Sequence, residues 1–290
     1  MRSLAELIMK GRLQAGGIAL VAAAVPMFFW LSSAVVALVL LRRGWNSALE
    51  VLIAALIPAG YWALQGNPAA LLVISAGAVL AALLRITVSW RTTLLLALIV
   101  GAALVVMVQV LIPGTINELS AQAHQIIAQQ LASVGESPEL DALLDRLQQL
   151  LPFVMAGVIA WAYLLFAVAS LALARYWQSL LYNPGGFQQE FYQLRLPVLW
   201  AVALLAMILM GAQLPPMVTA MIPIASVPLF VAGLALLHGQ VALRKMSRVW
   251  IYGLYLMLFI ATQIAYPLIV LMAFLDSLFD FRSRAAKPQA

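Results

Sequence analysis

Eight stretches of this chain run for at least 17 residues with almost no charge: 15–41, 47–64, 68–84, 92–112, 151–174, 197–213, 217–237 and 249–275. A helix needs roughly 20 apolar residues to cross the hydrocarbon core of a bilayer, with ~17 as the lower limit. The runs are continuous, without the alternation that a barrel strand shows, so helices are the spanning form they allow. Composition removes the soluble alternative. Of 290 residues 65% are hydrophobic and only 9% charged, whereas a soluble domain is about a quarter charged. The expected fold is an all-α membrane protein: a polytopic helical bundle of about eight spans forming a single transmembrane domain over residues 1–290.

The charges that remain set orientation. Lys and Arg gather on the cytoplasmic side of membrane proteins. If the spans alternate, Arg42, Arg43, Arg85, Arg91, Arg175, Arg195, Arg244, Lys245 and Arg248 share one side, and the opposite connections hold only Arg146. Eight straight spans would put Arg2, Lys10, Arg12, Arg282, Arg284 and Lys287 on the other side, against that rule. The first and last runs are long and contain Pro26 and Pro267. Proline removes a helical hydrogen bond and clashes with the preceding turn. If each terminal run bends or re-enters at its proline, fifteen of the sixteen basic residues come to the cytoplasmic side, and both termini with them. Eight straight spans with exported tails are the competing arrangement. The basic-then-apolar N-terminus resembles a secretory signal. The apolar run continues to Leu41 and further spans follow, which argues against it.

Two segments interrupt the pattern. Residues 113–150 carry five of the ten acids, Glu118, Glu136, Glu139, Asp141 and Asp145. Apolar stripes at Ile116, Leu119, Ala123, Ile126, Ile127 and Val134 and at Leu140, Leu143, Leu144, Leu147 and Leu151, with Ser137-Pro138 as a helix start, predict a two-helix extracytoplasmic insertion. Residues 175–197 form a cytoplasmic motif loop. Asn183-Pro184-Gly185-Gly186 suits a type II turn, with proline at the first central position and glycine at the second. Phe187, Phe191 and Leu194 then share one face of a short interfacial helix, and Arg175 is expected to snorkel to the surface. Trp45, Trp62, Trp90, Trp177, Trp200 and Trp250 lie near span ends, as interface anchors do.

Catalytic chemistry is hard to find in these residues. Absence of cysteine excludes disulfides, thiolate catalysis and thiolate metal sites. His124 and His238 are too far apart in sequence to suggest a metal pair. No P-loop, Gly-x-Ser-x-Gly or His-Glu-x-x-His run is present. The acids lie at span ends or in the outer insertion, and none at a span centre, where proton-coupled carriers place one. The chain is therefore read as no enzyme and no self-powered proton pump, and no cofactor is expected. The net charge of +6 orients the chain in a lipid bilayer and implies no nucleic-acid partner. Gln109 and Gln263 are the main mid-membrane polar groups. They are ligand-binding candidates, and either is equally suited to bonding a neighbouring helix. Ala15, Ala19 and Ala23, four residues apart, permit close helix contact.

YNPGGFQQEFYQLRL at 182–196 resembles the signature of the YybS-like family of uncharacterised polytopic bacterial membrane proteins. FLDSLFDFRSR at 274–284 resembles that family's ending, and the basic N-terminal helix, small-residue-rich span and Arg42-Arg43-Gly44 are also similar. The likeness extends over essentially the whole chain. The family is distantly similar to the substrate-capture subunits of energy-coupling-factor vitamin transporters, which use an alanine pattern like 15/19/23 to meet their membrane partner. The resemblance implies a multi-pass protein of the bacterial inner membrane. Two functions follow as expectations. One is a substrate-capture or permease-like subunit for a small solute, without its own energy source. The other is a non-transporting assembly or interaction protein with a membrane or cytoplasmic protein partner. For the second, Asn183, Pro184, Gly185, Gly186, Phe187, Phe191, Asp276, Asp280 and Arg282 are the docking candidates. Asp276 or Asp280 pairing with Arg175 or Arg195 would hold the tail against the motif.

Overall fold

A computed structural model describes residues 1–132 and 138–286. Fifteen α-helices and no strand occur among the described residues. A short amphipathic helix, α1 (Arg2–Lys10), precedes α2 (Arg12–Ala24), and α3 (Phe29–Arg43), α4 (Trp45–Leu64), α5 (Ala69–Thr87) and α6 (Trp90–Leu111) follow. Next come α7 (Pro113–Ala132), α8 (Pro138–Tyr182), the motif helix α9 (Gly186–Tyr192), α10 (Val198–Met210) and the single turn α11 (Pro216–Thr219). The chain closes with α12 (Met221–Leu243), α13 (Val249–Ile260), α14 (Thr262–Phe279) and the tail helix α15 (Phe281–Ala286).

Seven helical segments among the described residues are long and apolar enough to cross a membrane, and the protein is a multi-pass, all-α membrane bundle. Its lipid-facing surface agrees: Ile53, Ile57, Ile99, Leu209 and Phe259 are all more than half exposed, which water would not tolerate over so wide an area. The sixth of the eight expected spans, 197–213, is instead the 13-residue α10. At 1.5 Å per residue it covers roughly 20 Å of a ~30 Å core. A 3₁₀ turn at Gly211–Gln213 follows, and Pro215-Pro216 prevents continuation.

The first apolar run does fold back on itself. The helix stops at Val25, in extended backbone, and resumes beyond the turn Pro26–Phe28. Ser32 Oγ donates to the Ala19 carbonyl at 2.8 Å, two residues nearly equidistant from the break, as in a hairpin. At the open end Arg12 pairs with Glu50, and an Arg43 N–H donates to the Met9 carbonyl. The N-terminus therefore lies at the same end of the bundle as Arg42 and Arg43. Ala15, Ala19 and Ala23 are at most 1% exposed. The alanine stripe is consumed by packing within the chain, between α2 and the neighbouring α3 and α4, and is not a free face for a partner.

The last apolar run breaks as well, but at Ala261 (φ −128, ψ 45) rather than Pro267, which sits inside α14. Proline's ring collides with the carbonyl four residues back, so the disruption falls on the N-terminal side. Thr262 Oγ1 occupies the Leu258 carbonyl there. Both ends of the α13–α14 pair reach the basic end, where Arg244, Val249 and Phe281 border one cavity.

Helix α8 has 45 residues, roughly 67 Å at 1.5 Å each, more than twice the hydrocarbon core. Its first part must stand clear of the bilayer, with α7 packed alongside. The second insertion helix is thus one helix with the span after it, running through Pro152. Val134, Glu136 and Ser137 lie outside the described residues. Two glycines let a helix pack directly on another segment's backbone. A Cβ on Gly157 would strike the Ala220 carbonyl, and one on Gly233 the Ile269 carbonyl. Six tryptophans were expected to anchor the interface. Trp45, Trp200 and Trp250 are exposed, and Trp62 donates to the Ala24 carbonyl at 3.0 Å. Trp90 and Trp177 are instead buried in the core.

Candidate functional site

At the basic end the motif and the tail meet. Gly185 has φ +85, ψ −12, and the Gly186 N–H donates to the Asn183 carbonyl at 3.0 Å. This is the type II turn, and its positive φ is one that glycine alone adopts without strain. The turn sends α9 back over the bundle. Phe187 lies 5.8 Å from Trp90 and 5.7 Å from Phe191, which meets the His238 ring at 5.7 Å. Leu194 is buried. The Phe187/Phe191/Leu194 face thus packs on the protein's own core. Arg175 does not snorkel. Its Nε and Nη2 bond the two Glu190 carboxylate oxygens, fastening α9 to α8.

The tail is held by a second set of contacts. Arg195 Nε and Nη2 donate to the Asp276 and Ser277 carbonyls at 3.0 and 2.9 Å, capping the C-terminus of α14, where a cation is electrostatically favoured. The Arg195 Nη1 lies 2.8 Å from Asp280. The Asp276 carboxylate accepts the Phe281 N–H at 3.0 Å and stands 3.5 Å from Arg282, whose Nη1 donates to the Tyr192 carbonyl at 2.6 Å. Burial pulls the Arg282 guanidinium below its ordinary pKa, and the Asp276 charge opposes this. Of the docking candidates, Asp276 is buried and Arg282 is half-buried in an internal latch. Phe187 and Phe191 are packed inward, and Gly186 is partly covered. Asn183, Pro184 and Gly185 remain exposed, and Asp280 partly so. The Arg284 side chain lies outside the described residues.

The opposite end carries a polar cleft. Gln109, on the last turns of α6, lines a recess of about 200 Å³ with Pro113, Asn117 and Pro152. Asn117 and Pro152 also border a neighbouring recess of about 320 Å³, completed by Ser120, His124 and Gln148. The Nε2 atom of His124 is buried there without a hydrogen-bond partner. Gln263 does not join it. It is exposed on the first turn of α14, so the structure does not bring the two glutamines together. In the sequence, Asn117, Ser120 and His124 are masked by the apolar stripe of the same helix, α7. Their spacing of i, i+3, i+7 was the available signal, since it places three polar groups on one helix face.

Within the bundle, Tyr266 accepts from Trp161 Nε1 at 2.8 Å and shares a 2.7 Å hydrogen bond with Ser226. These three tie α8, α12 and α14 together. No family model, curated protein or solved structure matches the chain.

Proposed function

We propose that this multi-pass membrane protein is a substrate-capture or permease-like subunit of the bacterial inner membrane, taking a small polar solute at the end formed by α7 and α8. One observation carries the reading: the polar cleft under the protruding α7–α8 pair, in which His124 Nε2 is buried without a hydrogen-bond partner. A buried ring nitrogen left unpaired costs on the order of 1–3 kcal/mol, and a solute hydroxyl, amide or carboxylate would relieve it. Asn117, Ser120 and Gln148 supply further donors and acceptors, and the cleft's few hundred cubic ångströms suit a ligand of about ten heavy atoms. The reading assigns the chain no reaction and no energy source of its own, so net transport would come from a partner or from the solute's gradient. It also keeps the proposed YybS-like kinship and the cytoplasmic placement of the basic end.

The alternative, a non-transporting assembly protein, draws its support from the exposed Asn183–Gly185 turn alone, because the other motif side chains are engaged within the chain. Native mass spectrometry of protein extracted without added solute, compared with a His124→Ala, Gln148→Ala double variant, tests the proposal. A bound small molecule released in the variant is the expected result. No retained small molecule in the wild type, or equal retention in the variant, would reject the capture role.

A further inference from the structure

A large cavity lies far from that cleft, at the basic end between α12, α13 and the tail. It has a volume of about 910 Å³. Its walls are apolar, built by Leu237 and Val241 on α12, Trp250 and Leu254 on α13, Met272 on α14 and Phe281 on α15. Its polar rim is Gln240 and Arg244, joined by an Arg244 Nε to Gln240 Oε1 bond at 3.2 Å. The wall contributed by α13 is loosely attached: no residue of that helix is buried, and it ends at the irregular Ala261. An apolar volume of this size, opening at the surface of a membrane bundle, is filled by hydrocarbon.

The cations at its mouth select the occupant. Arg244, Lys245 and Arg248 lie in or beside the α12–α13 turn, all exposed. Apart from the exposed Lys10, the other basic side chains among the described residues are occupied. Arg2, Arg12, Arg175, Arg195 and Arg282 face carboxylates. Arg43, Arg85 and Arg91 donate to backbone carbonyls, and Arg42 stacks on Tyr182 at 4.1 Å. Among the described residues none of the three cations at the groove is in an ion pair, and no acid lines the cavity. Three uncompensated charges over an apolar slot are complementary to an anionic headgroup joined to an acyl chain.

We infer that the α12–α13 groove is a binding site for an anionic phospholipid. One acyl chain lies between Trp250, Leu254 and Met272, and the phosphate sits at Arg244, Lys245 and Arg248. The charged rim gives headgroup selectivity, and the slot gives chain affinity.

Delipidated full-length protein, reconstituted with phosphatidylglycerol or phosphatidylcholine brominated on the acyl chains, provides the test. Quenching assigned to Trp250 by subtraction of a Trp250→Phe variant reports occupancy. Phosphatidylglycerol should win by about tenfold, as expected for juxtamembrane cations acting on an anionic headgroup. The triple variant Arg244→Gln, Lys245→Gln, Arg248→Gln should lose that preference while phosphatidylcholine still quenches. Gly253→Leu adds a side chain to the cavity lining where a Cβ meets open space, and should lower quenching by both lipids with the rim intact. Inorganic phosphate at millimolar concentration should not compete, since it lacks the chain. Equal quenching by the two lipids, an unchanged preference in the triple variant, or displacement by free phosphate would each overturn the assignment.

Discussion

Replacing Asp276 with asparagine removes the charge that faces Arg282 and keeps the shape of the side chain. The two side chains are 3% and 12% exposed, so water cannot take over. At their 3.5 Å separation and an effective dielectric of ~20, the attraction is about 5 kcal/mol before compensation. Three contacts soften the loss. Asp280 still attracts Arg282, the Tyr192 carbonyl still accepts from Nη1, and the asparagine oxygen can keep the Phe281 N–H. Leaving one member of a buried pair without its partner costs about 3–5 kcal/mol, and these compensations place Asp276→Asn near the lower end, about 3 kcal/mol. Arg282 already has Nε and Nη2 buried without hydrogen bonds, so the pair as a whole stabilises little. Arg282→Met should therefore rescue Asp276→Asn to within about 1 kcal/mol of wild type, because a buried ion pair and an apolar replacement are often equivalent. Reversible unfolding in detergent micelles titrated with dodecyl sulfate, on the wild type, both single variants and the double, gives the coupling energy. A cost below about 1 kcal/mol for Asp276→Asn, or a double variant no more stable than the weaker single, would refute the latch.

Two glycines should respond with opposite signs. Gly157→Ala drives a methyl into the Ala220 backbone and should cost about 1–3 kcal/mol, whereas Gly60→Ala meets open space within α4 and should gain up to about 1 kcal/mol. The same unfolding titration reads both. Gly185→Val forces a β-branched residue to φ +85 and should cost about 1–2 kcal/mol, with faster proteolysis at the turn. Ser32→Ala leaves the buried Ala19 carbonyl without its extra donor and should cost about 1 kcal/mol. Because the chain has no cysteine, single cysteines at Gln125 and Gln189, both exposed, can be labelled with an impermeant maleimide. They should react from opposite sides of the membrane, and labelling from the same side would contradict the assignment of the two ends.

Hydropathy alone determined that this chain is a helical membrane bundle, because hydrogen-bond satisfaction in lipid leaves helices as the only form such continuous apolar runs take. Local rules were equally readable. Asn183-Pro184-Gly185-Gly186 specifies its turn through proline's locked φ and glycine's permissive one, and Pro26 marks the N-terminal fold-back. What the sequence could not show is who faces whom. A break somewhere in 249–275 was expected, but its displacement from Pro267 to Ala261 depends on where the preceding turn finds other partners. Arg175 and Arg195 both had acids to choose from. Glu190 and Asp280 were selected by the path of α9 and the end of α14, and the second pair joins residues 85 positions apart. Gln109 lines the cleft beside α7 and α8 and Gln263 faces away from it, although both read as polar residues in apolar helices. Helical periodicity tells which residues share a face of one helix, but not which helix that face meets. For the same reason the His124 cleft, built from α7 and α8, and the lipid groove, built from four helices near the C-terminus, exist only in the assembled bundle.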